Sequence, residues 1–256
     1  MSLYLGSKKV APTKTITKEA TSMKPFFDAG GKCAYSTATS FENAIQFNDT
    51  SNVTKMSYMF SNCASLTSIP QLDTSKVTSM YRMFDNCSSL TSIPQLDTSK
   101  VTSMYYTFYR CASLTSIPQL DTSKVTDMEG LFYYCTSLTS IPQLDTNKVT
   151  DMRAMFGFCT SLTSIPQLDT SKVTDMYAMF DNCSSLTSIK MKNMKVSFDI
   201  SASTEFTREA LLELINNCFD LTTLNKTATL TMGSTNLAKL TDEDKAIATA
   251  KGWTLK

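Results

Sequence analysis

The middle of the chain repeats one pattern of apolar and polar positions every 24 residues. The segment DTSKVT, or a close variant of it, recurs at this step, and so does a cysteine. The aspartates are Asp49, Asp73, Asp97, Asp121, Asp145 and Asp169, and the cysteines are Cys63, Cys87, Cys111, Cys135, Cys159 and Cys183. A period of this length without insertions is typical of a solenoid, in which each copy packs its apolar side on its neighbours.

Each copy divides into two segments with different apolar spacing. In the second copy the first segment has the i, i+3, i+4, i+7 spacing of one helical face, carried by Val77, Met80, Met83, Phe84 and Cys87. This spacing predicts a short helix or a 3₁₀-like turn. The following SSLTSI favours a short strand that ends at Pro94, because proline has no amide N–H to donate to a sheet. Stacking the copies aligns the leucines from Leu66 to Leu186 in a parallel sheet.

The motif M-x-x-M-F-x-x-C-x-S-L-T-S-I-P, which runs from Met80 to Pro94 in the second copy, recurs across residues 49 to 192. It resembles the BspA-like leucine-rich repeats of bacterial surface proteins. The resemblance implies an α/β solenoid, a right-handed leucine-rich-repeat superhelix with one short parallel strand and one short helix per copy, capped at both ends. Members of that family are associated with adhesion and with binding host or matrix proteins, so the resemblance implies a binding module without naming a ligand.

The two ends of the chain depart from the pattern. We predict an N-terminal arm or attachment segment over 1–40, a solenoid over 41–192 and a C-terminal cap with a diverged repeat over 193–256. The solenoid comprises a half-repeat cap at 41–48 and six copies at 49–192. In the C-terminal cap we expect a helix over 208–217 after Thr207, and a last helix after Thr241. The first ten residues resemble N-terminal segments of phage virion-associated proteins.

The charge and composition of the chain argue against several classes of function. The chain has 24 Lys and Arg against 23 Asp and Glu, so it lacks the cationic surplus that nucleic-acid binding needs. It has no histidine, the commonest general base and metal ligand, and no glycine-rich phosphate loop. We therefore predict no enzyme activity, no catalytic residue, no cofactor and no metal.

Apolar runs are too short for membrane insertion, and the first 24 residues lack the apolar stretch of a secretory signal. We predict an extracellular location, on a bacterial cell surface or a virion, without a signal peptide in this chain.

The recurring cysteines and aspartates have structural interpretations. Equivalent side chains in a parallel stack point the same way, so we expect the six cysteines to be buried free thiols. We expect each aspartate to close an Asx turn, with the charge offset by Lys76, Lys100, Lys124, Lys148 and Lys172. The alternative is Ca²⁺ held between adjacent turns by carboxylate and hydroxyl oxygens. A flat grid of Thr and Ser that binds ice is a further alternative for the strand positions.

Four positions vary from copy to copy, namely the two residues after the first Met and the two before the Cys. Their helical spacing predicts that they lie opposite the apolar stripe and are exposed. Eight of the ten tyrosines fall at these positions. The candidate binding residues are Tyr81, Arg82, Tyr105, Tyr106, Tyr109, Arg110, Tyr133, Tyr134, Arg153, Phe158 and Tyr177.

Clustered Tyr and Arg among small polar residues are typical of binding surfaces. We therefore predict a non-enzymatic binding or adhesion module for a protein or glycan ligand on a cell surface. Nucleic acid is not expected as a partner. The alternative is a structural or receptor-binding component of a phage virion or another surface assembly, anchored through residues 1–40.

Overall fold

The computed structural model describes residues 4–5, 8–9 and 50–256. The prediction of a half-repeat cap at 41–48, and nearly all of the predicted arm at 1–40, lie outside these residues. Near the start, β1 (Tyr4–Leu5) pairs antiparallel with β2 (Lys8–Lys9). The later elements are β3 (Ser164–Asp169), β4 (Ser188–Lys192), β5 (Phe198–Asp199), α1 (Arg208–Asn216), a 3₁₀ helix (Leu221–Leu224), β6 (Ala228–Thr231), α2 (Gly233–Leu237), α3 (Asp242–Ala250) and β7 (Trp253–Leu255).

The segment predicted as a helix in each copy is a chain of hydrogen-bonded turns instead. In the second copy the amide of Met83 donates to the carbonyl of Met80 at 3.0 Å, and Cys87 donates to Phe84 at 3.1 Å. Arg82 and Asn86 have φ values of +49° and +59°, in the left-handed region that a right-handed helix does not contain. The prediction of one short helix per copy is wrong, because apolar residues three and four apart also suit successive turns.

The backbone hydrogen bonds explain why no α-helix forms there. Alternate amides of the turn segment donate to the next copy rather than to a carbonyl four residues back. In the second copy these bonds are Met80 to Ser103 at 3.2 Å, Arg82 to Tyr105 at 2.9 Å, Phe84 to Thr107 at 2.9 Å and Asn86 to Tyr109 at 2.7 Å. A row of parallel bridges from Lys55 to Asp175 accompanies them at 24-residue steps. The turn segments, not helices, therefore join the copies.

Among the copies that the structure describes, regular strands occur only at the end of the stack, and β3 runs through Pro166 instead of ending at it as predicted. There β3 pairs in parallel with β4, with Ser164 opposite Ser188 and Ile165 opposite Ile189. The register of β3 shifts between Ile165 and Leu168, on either side of Pro166. Prolines recur at this position in the earlier copies, whereas β4 has Lys190. One parallel strand per copy is thus a wrong expectation for the earlier copies, because proline removes a ladder donor.

One continuous core runs through the copies, as the apolar columns predict. The rings of Phe60, Phe84, Phe108, Phe132, Phe156 and Phe180 stack at centroid distances of 5.4 to 5.9 Å, with interplanar angles of 11° or less. The cysteine column links copies, since the Cys87 Sγ donates to the Phe60 carbonyl at 3.1 Å and Cys111 repeats this bond to Phe84 at 3.2 Å. The invariant columns therefore form the core of the stack.

The cysteine prediction is wrong for one member of the column. Cys87, Cys111, Cys135, Cys159, Cys183 and Cys218 are free and buried. Cys63, in contrast, is disulfide-bonded. Cys63 belongs to the first copy, and no regular copy precedes it in the sequence. The expectation of free thiols assumed an equivalent cysteine in register on each side, which Cys63 lacks on its N-terminal side. Burial raises the pKa of the Cys183 thiol to about 12.

Residues 193–256 pack on the last copy, where the Ser203 hydroxyl donates to the Cys183 carbonyl at 2.7 Å. Thr207 caps α1 by accepting a hydrogen bond from the Ala210 amide at 3.2 Å, as predicted. Thr241 and Asp244 form a capping box at the start of α3. Strands β5, β6 and β7 make a parallel sheet, and a bridge between Met194 and Cys218 repeats the 24-residue step. In the part of the chain that the structure describes, no helix has the length and apolar character needed to cross a bilayer.

Candidate binding face

The four variable positions form four columns, which together make the variable face. The first column is Ser57, Tyr81, Tyr105, Glu129, Arg153 and Tyr177, and the second is Tyr58, Arg82, Tyr106, Gly130, Ala154 and Ala178. The third is Ser61, Asp85, Tyr109, Tyr133, Gly157 and Asp181, and the fourth is Asn62, Asn86, Arg110, Tyr134, Phe158 and Asn182. All members of the second and fourth columns have positive φ. Each stands third in a hydrogen-bonded turn, a place that favours Gly and Asn.

Eight rings on this face touch in an unbroken series, which we name the aromatic ridge. Its members are Tyr58, Tyr81, Tyr105, Tyr106, Tyr109, Tyr133, Tyr134 and Phe158, joined by centroid distances of 4.2 to 6.5 Å. The ridge runs diagonally, from the first two columns in the early copies to the last two columns in the later ones. The structure therefore brings together most of the predicted aromatic residues.

Rings from adjacent copies turn their faces toward each other. Tyr81 and Tyr105 stack at 4.8 Å with an interplanar angle of 5°, and Tyr109 and Tyr133 at 5.8 Å with 5°. Tyr134 and Phe158 stack at 4.2 Å with 9°. Each of these stacked pairs therefore covers one face of both of its rings.

The expectation that all candidates are exposed is wrong for most of them. Arg110 and Tyr177 are exposed. The half-buried candidates are Tyr81, Arg82, Tyr105, Tyr106, Tyr109, Tyr133, Tyr134, Arg153 and Phe158. Consecutive copies are only one strand spacing apart, so large side chains in neighbouring copies cover one another.

Two glycines make room for the ridge. A Cβ atom on Gly130 would lie 2.6 Å from the Tyr106 ring, and one on Gly157 would lie 2.5 Å from the Tyr133 ring. Each glycine stands one period after the tyrosine that covers it. Sequence reasoning missed this role, although comparison of the columns shows Gly directly following Tyr in both cases.

Arg82 is held among the tyrosines. Its Cζ lies 4.9 Å from the Tyr106 ring centroid and 5.8 Å from that of Tyr109, and its Nη1 pairs with Asp85 Oδ2 at 3.0 Å. Burial and the nearby Glu129 charge raise the pKa of Tyr106 to about 12. The Tyr106 side chain is also hydrogen-bonded to Glu129.

Arg110 supplies an exposed positive charge at the middle of the ridge. Its Cζ lies 5.0 Å from the Tyr109 ring centroid and 5.6 Å from that of Tyr134. Among residues 50–256 it takes part in none of the ion pairs. This guanidinium is free to meet an anionic group of a ligand.

Arg153 and Tyr177 lie apart from the ridge, although they were predicted with it. Arg153 pairs with Glu129, with Asp151 at 2.8 Å and with Asp175 at 3.8 Å. It therefore offsets a column of carboxylates instead of extending the aromatic surface. Tyr177 belongs to the last copy and lines a separate cleft.

The repeated aspartates on another side of the stack close Asx turns, as predicted. The Oδ1 atom of Asp97 accepts the amide of Ser99 at 3.0 Å, and Asp121 accepts that of Ser123 at 3.0 Å. The lysines do not pair with Asp97, Asp121 or Asp145 within the described chain, although Lys192 lies 3.2 Å from Asp169. Solvent exposure lets these carboxylates stand without an ion pair among the described residues. Over the same residues, no group of three or more acidic or cysteine side chains is arranged to hold a metal ion.

A stack of 24-residue copies around a shared core, with its variable residues outside, defines a repeat solenoid. The chain belongs to the family described as "Mycoplasma protein of unknown function, DUF285", whose model matches residues 21–118 and 108–213. This is a family of BspA-like repeats. The sequence resemblance is thereby confirmed at the level of the repeat type.

A solved structure is also similar, that of a T. pallidum leucine-rich repeat protein. It is 16% identical, the match covers 80% of this chain and 79% of that one, and the TM-score is 0.41. No curated protein matches the chain. The resemblance of the first residues to phage proteins finds no support in these comparisons.

Proposed function

We propose that this protein is a non-enzymatic binding module that holds a macromolecular ligand on the aromatic ridge and Arg110. The observation that carries this proposal is the packing of eight rings into one surface beside an exposed guanidinium that forms no ion pair with residues 50–256. Tyrosine and arginine contribute most to binding when they are clustered and held in place.

The ridge is ordered before a ligand arrives. The rings are held in position by their stacked neighbours and by Arg82. Gly130 and Gly157 leave the space that two of these rings occupy. Binding therefore immobilises few additional side chains, which lowers its entropic cost. Such preorganisation favours a ligand-binding role for this surface over a surface without a binding role.

A protein ligand fits this surface better than a glycan. Sugar rings pack against the open face of an aromatic ring, whereas the faces of Tyr81, Tyr109 and Tyr134 are turned to the next copy. Hydroxyl groups and ring edges instead offer hydrogen bonds and narrow apolar contacts, which suit peptide groups and side chains. Glycan binding is the other outcome that the experiment below distinguishes.

The family context supports an extracellular surface location for such a module. Adhesion to host or matrix proteins is the use that the BspA-like resemblance implies. Attachment to a larger surface assembly or a virion through residues 1–40 stays a prediction from the sequence.

The test removes ligand-contacting groups and keeps the stacked rings. Arrays of extracellular proteins and of glycans are probed with the wild type and with a variant that combines Tyr109→Phe, Tyr133→Phe, Tyr134→Phe and Arg110→Gln. We expect a protein ligand whose affinity falls about tenfold or more in the variant, because several hydrogen bonds and a charge are lost.

Lys124→Gln, which removes a charge from the Asp and Lys side of the stack, is the matched control and should bind like the wild type. Urea unfolding should show all three proteins to be similarly stable. Unchanged affinity in the ridge variant would overturn the proposed site. A glycan as the ligand that depends on the ridge would overturn the preference for protein.

A further inference from the structure

A cleft of about 370 Å³ lies between the last copy and the C-terminal region. Its floor is apolar, because Met176, Phe180 and Phe198 are buried beneath it. The remaining lining comes from both sides of the junction and includes Tyr177, Ala178, Asp181, Asp199, Ser201 and Ala202. The cleft is therefore lined by both the last copy and residues 193–256.

The last copy contributes one small and one large side chain to the cleft. Ala178 follows Gly130 and Ala154 in its column, so it is not unusually small there. Tyr177 is 77% exposed, the highest value among the large apolar side chains of residues 50–256. Unlike the ridge tyrosines, it has no ring among residues 50–256 stacked on it, so a face of this ring is accessible to a ligand.

Two carboxylates line the cleft without cationic partners. Asp181 and Asp199 are exposed, and neither takes part in an ion pair within the described chain. The Asp181 Oδ1 accepts a bond from Asn182 Nδ2 at 3.1 Å, and the Asp199 Oδ1 accepts the Ser201 amide at 2.7 Å. Neither Oδ2 atom accepts a hydrogen bond from residues 50–256, so both are available to a ligand.

An apolar floor, an open tyrosine face and two unpaired carboxylates together match one kind of group. A lysine or arginine side chain has an apolar stem that can lie on the floor, and a cation that can meet both the carboxylates and the Tyr177 ring. Two carboxylates alone fall short of the six to eight oxygen ligands of Ca²⁺. The chemistry of the cleft thus favours an organic cation over a metal ion.

We infer that this cleft binds a lysine or arginine side chain of the protein that lies across the variable face. The inference rests on the proposed function, since it names one feature of that partner. The face would then carry a cation at Arg110 and carboxylates at its C-terminal end. A partner would bind in one direction only, with an acidic group toward Arg110 and a basic side chain in the cleft.

Small probes test the cleft without knowledge of the partner. N-acetyl-lysine methylamide and N-acetyl-arginine methylamide are titrated into ¹⁵N-labelled protein, and the amide shifts of Ala178, Ser201 and Ala202 are followed. We expect saturable shifts centred on these residues. The same lysine probe acetylated on its ε-amine, which is neutral, should produce no saturable shift.

Variants test whether the two carboxylates of the cleft bind the basic probes. Combining Asp181→Asn with Asp199→Asn should weaken binding of the basic probes about tenfold, because two charge-assisted contacts become neutral. Each asparagine keeps an oxygen that can accept the existing hydrogen bond. Asp145→Asn is the matched control, since Asp145 accepts the amide of Asn147 at 3.0 Å in the same kind of turn as Asp199. It should bind the probes like the wild type.

Equal probe affinity of the wild type and the double variant, or equal binding of the neutral probe, would overturn the inference. Once a protein partner is known, the two proposals separate. If ridge substitutions abolish partner binding but the double variant binds the partner normally, the cleft inference fails alone. If ridge substitutions have no effect while the probes bind as expected, the proposed function fails alone.

Discussion

Replacement of Gly130 by alanine tests how the aromatic ridge is built. The new Cβ would lie 2.6 Å from Cε1 and Cζ of Tyr106 and 2.8 Å from its Cδ1, closer than real contacts allow. The ring must therefore leave its place between Gly130 and Arg82. The variant thus displaces the Tyr106 ring while the identity of every ridge residue stays the same.

Two costs add in this variant. An alanine at the left-handed φ of +58° costs roughly 1–2 kcal/mol relative to glycine. The displaced ring also gives up part of its contacts with Tyr105, Tyr109 and Tyr133, and such aromatic pairs are worth about 0.5–1.5 kcal/mol each. We expect a total loss of about 2–3 kcal/mol in the free energy of unfolding.

A double-mutant cycle separates the two costs. Urea unfolding is measured for the wild type, Gly130→Ala, Tyr106→Ala and the double variant. With the ring absent only the backbone cost remains, so Gly130→Ala should cost about 1 kcal/mol less in the Tyr106→Ala background than in the wild type. Equal costs in the two backgrounds would refute the argument that the glycine exists to accommodate the ring.

Gly157→Ala provides the matched comparison, because Gly157 is not among the residues with positive φ. Its Cβ would lie 2.5 Å from the Tyr133 ring and 3.3 Å from the Ala178 carbonyl. Nearly all of its cost should therefore disappear in a Tyr133→Ala background. A cost that persists there would contradict the same argument.

Two further predictions concern the core and the C-terminal region. Burial raises the pKa of Cys87, Cys111, Cys135 and Cys159 well above that of an ordinary thiol, so these residues should not react with a disulfide reagent at neutral pH until denaturant is added; fast reaction of the native protein would contradict their burial. The hydrogen bond from Arg208 lowers the pKa of Asp244, so its contribution to stability is present above the ordinary Asp pKa of about 3.9 and is lost as pH falls through the lower folded-state pKa. Urea unfolding of the wild type and Asp244→Asn should therefore show a stability difference at pH 7 that shrinks in acid, and a difference independent of pH would contradict this account.

The sequence by itself determined the architecture of the repeats. A 24-residue step puts equivalent residues in register, so the columns of Phe, Cys and Leu had to share one core whatever the local backbone. The capping residues Thr207 and Thr241 could also be predicted, because helix caps depend on neighbouring residues along the chain. The Asx turns at Asp97 and Asp121 are local in the same way.

Only the tertiary structure decided the backbone of the turn segment and the form of the candidate surface. The spacing from Met80 to Cys87 suits a helix or a series of turns equally, and the hydrogen bonds to the next copy select the turns. The tyrosines cover one another because those turns bring equivalent positions of adjacent copies into contact. The cleft at Tyr177 depends on how residues 193–256 meet the last copy, which no periodic pattern encodes.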